Sequence, residues 1–377
     1  MISCGEASGD LYAGALINSL RKLDPTVSVF GFGGAQMEAA GARLVGDYRG
    51  LSVTGLVEPL RVVPKAFLML RKLRRAAAAE RPGVFVAIDF PDFNFRLLKA
   101  IKALGIPVVY YISPQLWAWR PGRIETIKRY VDRMLVIFPF EEELYRTAGV
   151  PVEFVGHPLV DLAVPARDRE TTLRAAGLDP GRPVVALLPG SRPNELHQIL
   201  PTVAESALLM SREQPGVQFL IARAPALADS LFEPLGTLKA AGVPHAMIEG
   251  ATDDVLAAAD VVVTASGTAT VQAALHGRPM VIVYRLSPLT FALGRAFVRV
   301  HTYGMVNLVA GRPVVPELIQ ESFTAGNVAR ETLTLLRDGS TAADMRRGLA
   351  DVRARLGAPG ASARAAEAVL RLVAGRV

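Results

Sequence analysis

Residues 84–114 read VFVAIDFPDFNFRLLKAIKALGIPVVYYISP. Val84 to Ile88 is a short apolar, β-branched run, a helical stretch follows it, and Val108 to Ile112 is a second such run. A buried strand, a helix and another buried strand in succession are a βα unit, and repeated units of this kind build parallel sheets. The alternation continues outward, with Val27 to Phe30 before this stretch and Met134 to Phe138 after it. It restarts in the second half with Val184 to Leu188, Gln218 to Ala222, Val261 to Thr264 and Met280 to Tyr284. Between about Val152 and Pro183 the rhythm breaks at GHPLVDLAVPARD and LDPGRP, where prolines and charges gather and no strong strand is expected. The fold class expected is therefore α/β, with two Rossmann-like doubly wound domains facing a cleft. Residues 1–157 form the first and 158–340 the second, and the alanine- and arginine-rich helices 341–377 are expected to pack back on the first. Only Met1 to Cys4 precede the first glycine turn, short for a buried strand of about five residues, and a start codon set too late would account for it.

The chain has 377 residues, 51% of them apolar and 20% charged, which excludes a disordered chain, collagen or a polar scaffold. A single cysteine, Cys4, rules out a disulfide-stapled secreted scaffold, and a reduced cytoplasm is the default compartment. No apolar stretch is long enough to cross a bilayer, and MISCGEASGD does not read as an export signal. Forty-two basic against 35 acidic residues leave a net charge of +7, which favours phosphate-bearing partners or an anionic membrane face. The basic residues are dispersed and lack interleaved aromatics, so no nucleic-acid partner is expected. Between Leu56 and Arg75, Leu60, Val63, Phe67, Leu70 and Leu73 recur at three- and four-residue steps among six arginines and lysines. The pattern fits an ordinary core helix or an amphipathic helix lying on a membrane.

Glycine- and hydroxyl-rich turns follow three of the expected strands: Gly5–Asp10, Gly190-Ser191-Arg192 and Ser266-Gly267-Thr268-Ala269-Thr270. Each opens a helix, where exposed amides favour phosphate or simply cap the helix. The last two follow strands of one half and would flank one crevice, with room for a diphosphate. Neither GxGxxG nor GxxxxGK[ST] is present, which sets aside nicotinamide enzymes and P-loop nucleotidases. No Asp-x-Asp pair occurs and the five histidines, His157, His197, His245, His276 and His301, include no i,i+4 pair, so no metal and no other cofactor is expected. After Val84 to Ile88 comes Asp89-Phe90-Pro91-Asp92-Phe93-Asn94, which puts Asp89 at a strand's carboxyl end, as a general base or as a helix cap. Ser113–Arg120 holds both tryptophans, Trp117 and Trp119, as a sugar-pocket lining or as packing.

Taken together, GEASGD (5–10), IDFPDFN (88–94), SPQLWAWR (113–120), FVGHPL (154–159), LLPGSR (187–192), ASGTAT (265–270) and NLVAGRPVVPELIQ (307–320) closely resemble the lipid-A-disaccharide synthases, GT-B glycosyltransferases. The resemblance runs nearly end to end. It implies transfer from UDP-2,3-diacylglucosamine to the 6-hydroxyl of 2,3-diacylglucosamine 1-phosphate (lipid X), with inversion and release of UDP. By motif position it implies Asp89 as the base and Arg192 as the partner of the leaving diphosphate. It also implies Gly190, Ser191, Ser266, Gly267, Thr268 and Ala269 around that diphosphate, Asn307 near the nucleotide, and Glu6, Ser8 and Asp10 in the first loop. Where related sequences carry a glutamate for the ribose, this chain has Gln272. The resemblance turns the stripe around Val62, Val63, Phe67 and Leu70 into a peripheral anchor on the anionic inner membrane. A homodimer is left open as a partner, and His157 reads as structural. The rivals are a UDP-sugar epimerase and an inactive UDP-sugar-binding homologue of the same architecture.

Overall fold

The computed structural model describes residues 1–50, 59–116, 121–286 and 303–375. Its chain divides into two compact units, Met1–Asp161 with Leu356–Val377, and Leu162–Arg355. The first unit is built on a seven-stranded sheet in the order β3-β2-β1-β4-β5-β6-β7. Its strands are β1 (Ile2–Ser3), β2 (Phe30–Gly33), β3 (Arg43–Asp47), β4 (Phe85–Ile88), β5 (Val108–Tyr111), β6 (Arg133–Val136) and β7 (Val152–Phe154). Every pairing is parallel, with Ile2 opposite Gly31 on one side and Val86 on the other. The middle strands are buried on both faces, as a sheet covered by helices on both sides requires. Its helices include α1 (Ala7–Leu23), α2 (Ala35–Ala39), α3 (Pro59–Glu80) and α4 (Pro91–Ala103).

Strand β2 begins where the sequence reading ended it, because glycines occupy its core: a Cβ on Gly31 would lie 1.8 Å from the Ile2 carbonyl oxygen. Only glycine lets β1 and β2 approach at that point. Two-residue β1 is short, yet it sits in mid-sheet and is held on both flanks.

The second unit has six strands in the order β10-β9-β8-β11-β12-β13, again all parallel. They are β8 (Val184–Leu188), β9 (Gln218–Arg223), β10 (His245–Glu249), β11 (Val261–Ala265), β12 (Met280–Tyr284) and β13 (Glu317–Ile319). The helices 341–377 do not stay together. Gly339–Arg355 belongs to the second unit, where Met345 is buried beneath the Met280 amide and Arg353 donates to the Leu275 carbonyl at 2.8 Å. Ala361–Ala374 belongs to the first, packing on α1 through Ala361, Ala365, Ala366 and Val369, and the units divide after Asp161.

In each sheet the strand order reverses once, between β1 and β4 and between β8 and β11. Chain connections leave such a point in opposite directions, so the loops at the strands' carboxyl ends open a crevice there. The four loops involved are Gly5–Asp10, Asp89–Asn94, Pro189–Arg192 and Ser266–Thr270.

Candidate active site

At the reversal point of the first unit, β4 ends at Ile88 and the next two residues take left-handed backbone, φ +43° at Asp89 and +49° at Phe90. Neither is glycine, and each such residue costs about 1–3 kcal/mol unless its surroundings hold it there. Phe90, not Asp89, is the N-cap of α4, with Pro91 at its first turn. Asp89 stands one residue before that cap, directly at the carboxyl end of β4. Phe90 stacks with Phe93, and Gly5 lies so close to the Phe90 ring that a Cβ there would come within 2.1 Å of it. This contact seats the first loop, with half-buried Glu6 and Ser8, against the Asp89 turn. The neighbouring β5 ends in similar strain, with φ +67° at β-branched Ile112, followed by buried Ser113 paired to Tyr145 Oη at 2.7 Å.

The Asp89 carbonyl oxygen accepts from Tyr110 Oη at 2.8 Å and from Asn94 Nδ2 at 2.7 Å. Asp92 stands in the first turn of α4, largely exposed, and pairs with Arg123. Asp10 is buried, and its carboxylate accepts from the amides of Gly34, Gln36 and Met37 at 2.8–3.1 Å. Three backbone donors at the start of α2 make it a structural cap. His157 is likewise structural: buried, its Nδ1 accepts from the Leu159 amide at 3.1 Å, and burial pushes its ring down to about pKa 3.

In the second unit, Thr264 lies opposite Leu188, so the loops after β8 and β11 emerge side by side. Gly190 has φ +128°, and a Cβ on it would meet Glu195 Oε2 at 2.6 Å. The reason is that Glu195, in the first turn of the helix Pro193–Glu213, folds back to accept from Ser191 N at 2.9 Å and Arg192 N at 3.3 Å. Its other oxygen meets the Arg192 guanidinium at 3.3 Å. Of the Gly190 and Ser191 amides expected to hold a diphosphate, that of Ser191 is therefore occupied by Glu195, as is the Arg192 amide, and the loop also carries the half-exposed Arg192 guanidinium. Tyr284, at the end of β12, has its phenol pushed up by burial and by Glu195, with Arg192 offsetting.

The β11 loop is differently built. Ser266 is anchored by its amide to the Val283 carbonyl and by its hydroxyl to the Tyr303 carbonyl at 3.0 Å. Thr270 closes the turn onto the Gly267 carbonyl. Gly267, Thr268 and Ala269 then present the first amides of the helix Thr268–Leu275, whose dipole favours an anion. Gln272 lies one turn further along and donates from Nε2 to both oxygens of Asp253 at 3.3 Å, and His276 Nε2 shares Asp253 Oδ1 at 2.9 Å.

Asn307 departs from its expected role. It is buried, its Nδ2 donates to the Val315 carbonyl and Glu317 Oε1, and its Oδ1 accepts from the Val314 and Val315 amides. Two donors and two acceptors are all an asparagine side chain has, so none remains for a substrate. It holds Glu317 in place, which in turn accepts from the amides of Tyr303 and Gly304 and fixes the segment that anchors Ser266.

Trp117 to Arg120 lie outside the described residues, as do Leu56 and the side chains of Leu60 and Val62. The rest of the stripe on α3 divides in two. Leu73 is fully buried, whereas Val63 is 54% and Phe67 60% exposed, with Leu68 at 64% beside them. Leu70 is half-buried, and with Phe67, Leu97 and Ala100 it lines a cavity of about 270 Å³ rimmed by Arg71, Arg74 and Arg96. Among the described residues none of these three arginines has an ion-pair partner, and no helix is long and apolar enough to cross a membrane.

A family model described as lipid-A-disaccharide synthetase matches residues 1–370. Lipid-A-disaccharide synthases of Myxococcus xanthus and Geobacter metallireducens are 45% and 46% identical, each aligned over 99% of this chain and 97% of the relative. Among solved structures, UDP-GlcNAc 2-epimerase from Neisseria meningitidis bound to UDP-GlcNAc superposes with TM-score 0.70 at 12% identity, covering 98% of this chain and 99% of that one. The glycosyltransferase of kitacinnamycin superposes with TM-score 0.63 at 18% identity, covering 99% and 98%. At these identities the structural likeness speaks for the fold, a GT-B pair of parallel-sheet units shared by glycosyltransferases and epimerases. Both readings of the fold class, from the βα rhythm and from the resemblance, are met. The end-to-end match in sequence decides between those enzymes: this chain belongs to the lipid-A-disaccharide synthase family.

Proposed function

We propose that the chain joins UDP-2,3-diacylglucosamine to 2,3-diacylglucosamine 1-phosphate, giving the β-1,6-linked disaccharide 1-phosphate and UDP. The observation that carries the reading is Asp89: a carboxylate at the reversal point of the first sheet, at a strand's carboxyl end and on strained backbone. In one in-line displacement, Asp89 takes the proton of the acceptor 6-hydroxyl as its oxygen bonds to the sugar C1. The bond from C1 to the diphosphate breaks on the opposite face, which inverts an α-linked donor to a β-linked product. A general base of this kind contributes about 10²–10⁴ in rate.

The departing diphosphate gathers charge as the bond breaks. The Arg192 guanidinium, suited to a bidentate grip on phosphate, and the amides of Gly267, Thr268 and Ala269 are assigned to it. Glu195 holds Arg192 forward, and Gln272, its nitrogen turned to Asp253, keeps its carbonyl oxygen to accept from a ribose hydroxyl. Glu6 and Ser8 line the acceptor side beside the Asp89 turn.

Both substrates carry acyl chains, so the enzyme must work at a bilayer surface. Val63, Phe67 and Leu68 form an apolar tip for the anionic inner leaflet on its cytoplasmic side, with Arg71, Arg74 and Arg96 at headgroup height. Each basic residue near such a surface is worth about 1 kcal/mol.

Product analysis tests the reading. With both substrates in detergent micelles and EDTA present, mass spectrometry should find the tetraacyl disaccharide 1-phosphate and UDP in equal amounts. An isomerised UDP-sugar without disaccharide would make the chain an epimerase and end this proposal.

A further inference from the structure

Asn94 is fully buried on the first turn of α4, where a charged or polar side chain must find every partner inside the protein. Three carbonyl oxygens surround its amide nitrogen: Asp89 at 2.7 Å, and Ile88 and Ser3 at 3.4 Å. On the opposite side, Ser3 Oγ donates to Asn94 Oδ1 at 2.7 Å. Carbonyls on one side and a hydroxyl on the other leave a single orientation for the amide. One side chain thus ties the end of β4 to the middle of β1, across the reversal point of the sheet.

What it grips is the peptide between Asp89 and Phe90, the two left-handed residues. Tyr110, from β5, donates to the same oxygen at 2.8 Å from the other side. Two donors on one partly buried carbonyl fix that peptide plane, hence ψ of Asp89 and φ of Phe90, and with them the direction in which the Asp89 side chain leaves the backbone. The aromatic stack of Phe90 and Phe93 beneath the turn fixes its other end.

We propose that Asn94, seconded by Tyr110, is a positioning residue that holds the Asp89 carboxylate at the geometry of proton transfer. The inference rests on Asp89 being the base, and it goes beyond that reading by naming what aims it. Misplacing a reacting group by about 1 Å costs up to 10²-fold in rate.

The experiment is a double-mutant comparison with UDP-2,3-diacylglucosamine and its acceptor. Asn94→Ala, Tyr110→Phe and Ser3→Ala are each made in the native chain and in Asp89→Ala. In the native background Asn94→Ala should lower kcat by about tenfold or more, with KM for both substrates within about threefold. Tyr110→Phe, which removes one donor and little volume, should lower kcat by about threefold. In the Asp89→Ala background the same substitutions should change the residual rate by less than about twofold, because a residue acting only through Asp89 has nothing left to act on. Equal losses in both backgrounds would show that Asn94 serves the fold alone, and a folded Asn94→Ala with native kcat would dispose of the proposal outright. If Asn94→Ala does not fold, Tyr110→Phe and Ser3→Ala decide by the same rule. An Asp89→Ala enzyme with the native rate would instead overturn the assignment of the base, a separate failure.

Discussion

His157 shows how far a single residue's chemistry is set by its neighbours. Its ring is packed edge-on to Tyr12 and beside Phe138, and burial keeps it neutral with a pKa lowered to about 3. In the unfolded chain it binds a proton near pH 6.5, so the unfolded state carries the extra proton as pH falls. Stability contributed by this residue is intact above about pH 6.5 and is lost progressively from there toward pH 3. His157→Asn keeps an acceptor for the Leu159 amide and cannot titrate. Between pH 7 and pH 4.5 it should therefore lose about 2–3 kcal/mol less unfolding free energy than the native chain, as read from urea midpoints. An equal acid loss in both proteins would place the acid sensitivity elsewhere. The position of Asp89 was legible in the sequence because a carboxylate directly after a buried strand is a local pattern. Asn94 was in plain view too, but its grip on Ser3 and Asp89 spans 91 residues on one side, which no local pattern reports. Asn307 and Asp10 show the other side: motif position singles them out, whereas Asn307 bonding to Val314, Val315 and Glu317, and Asp10 to three amides at the start of α2, give them structural work that no motif reports. Glu195 and Tyr284 escaped notice because their meaning depends on a helix turn folding back and on a strand ending beside it.

Among the elements, the strands legible in the sequence were those buried on both faces, and Val184–Leu188 and Met280–Tyr284 match to the residue. The ones missed were β3, β7, β10 and β13, all edge strands with partly exposed residues, where continuous apolar runs give way to mixed composition. Helix α3 needed the structure for a different reason. A three- and four-residue apolar period identifies a helix face but not what the face meets, and here the face changes partner along its length. Leu73 and Ala77 enter the core of the first unit, while Phe67 and Leu68 stay exposed a turn earlier. Phe67→Ser with Leu68→Ser removes apolar surface that is mostly exposed, so thermal stability should change little while affinity for vesicles containing phosphatidylglycerol falls by about tenfold or more. Vesicle binding unchanged in a folded double variant would remove α3 as the anchor.

At the scale of the whole molecule, two parallel sheets each place their loops where the strand order reverses, and the chemistry divides accordingly. On the function proposed, the first unit contributes Asp89 and the apolar helix, the second Arg192 and the anion-favouring helix start, and the net charge of +7 accords with an anionic surface and a diphosphate as partners. The division predicts that substitutions in the two units are felt by different steps. Arg192→Lys keeps the charge but gives up the fork, and should cost about tenfold or more in kcat/KM, read by varying the UDP-sugar at fixed acceptor. The most direct test of the central claim concerns Asp89. Disaccharide formation is followed by mass spectrometry at saturating donor and acceptor, comparing the native chain with Asp89→Asn, which keeps the shape of the side chain and removes its basicity. The account predicts a fall of at least about 10²-fold in kcat with UDP-sugar binding retained; a rate within a few-fold of native would contradict it.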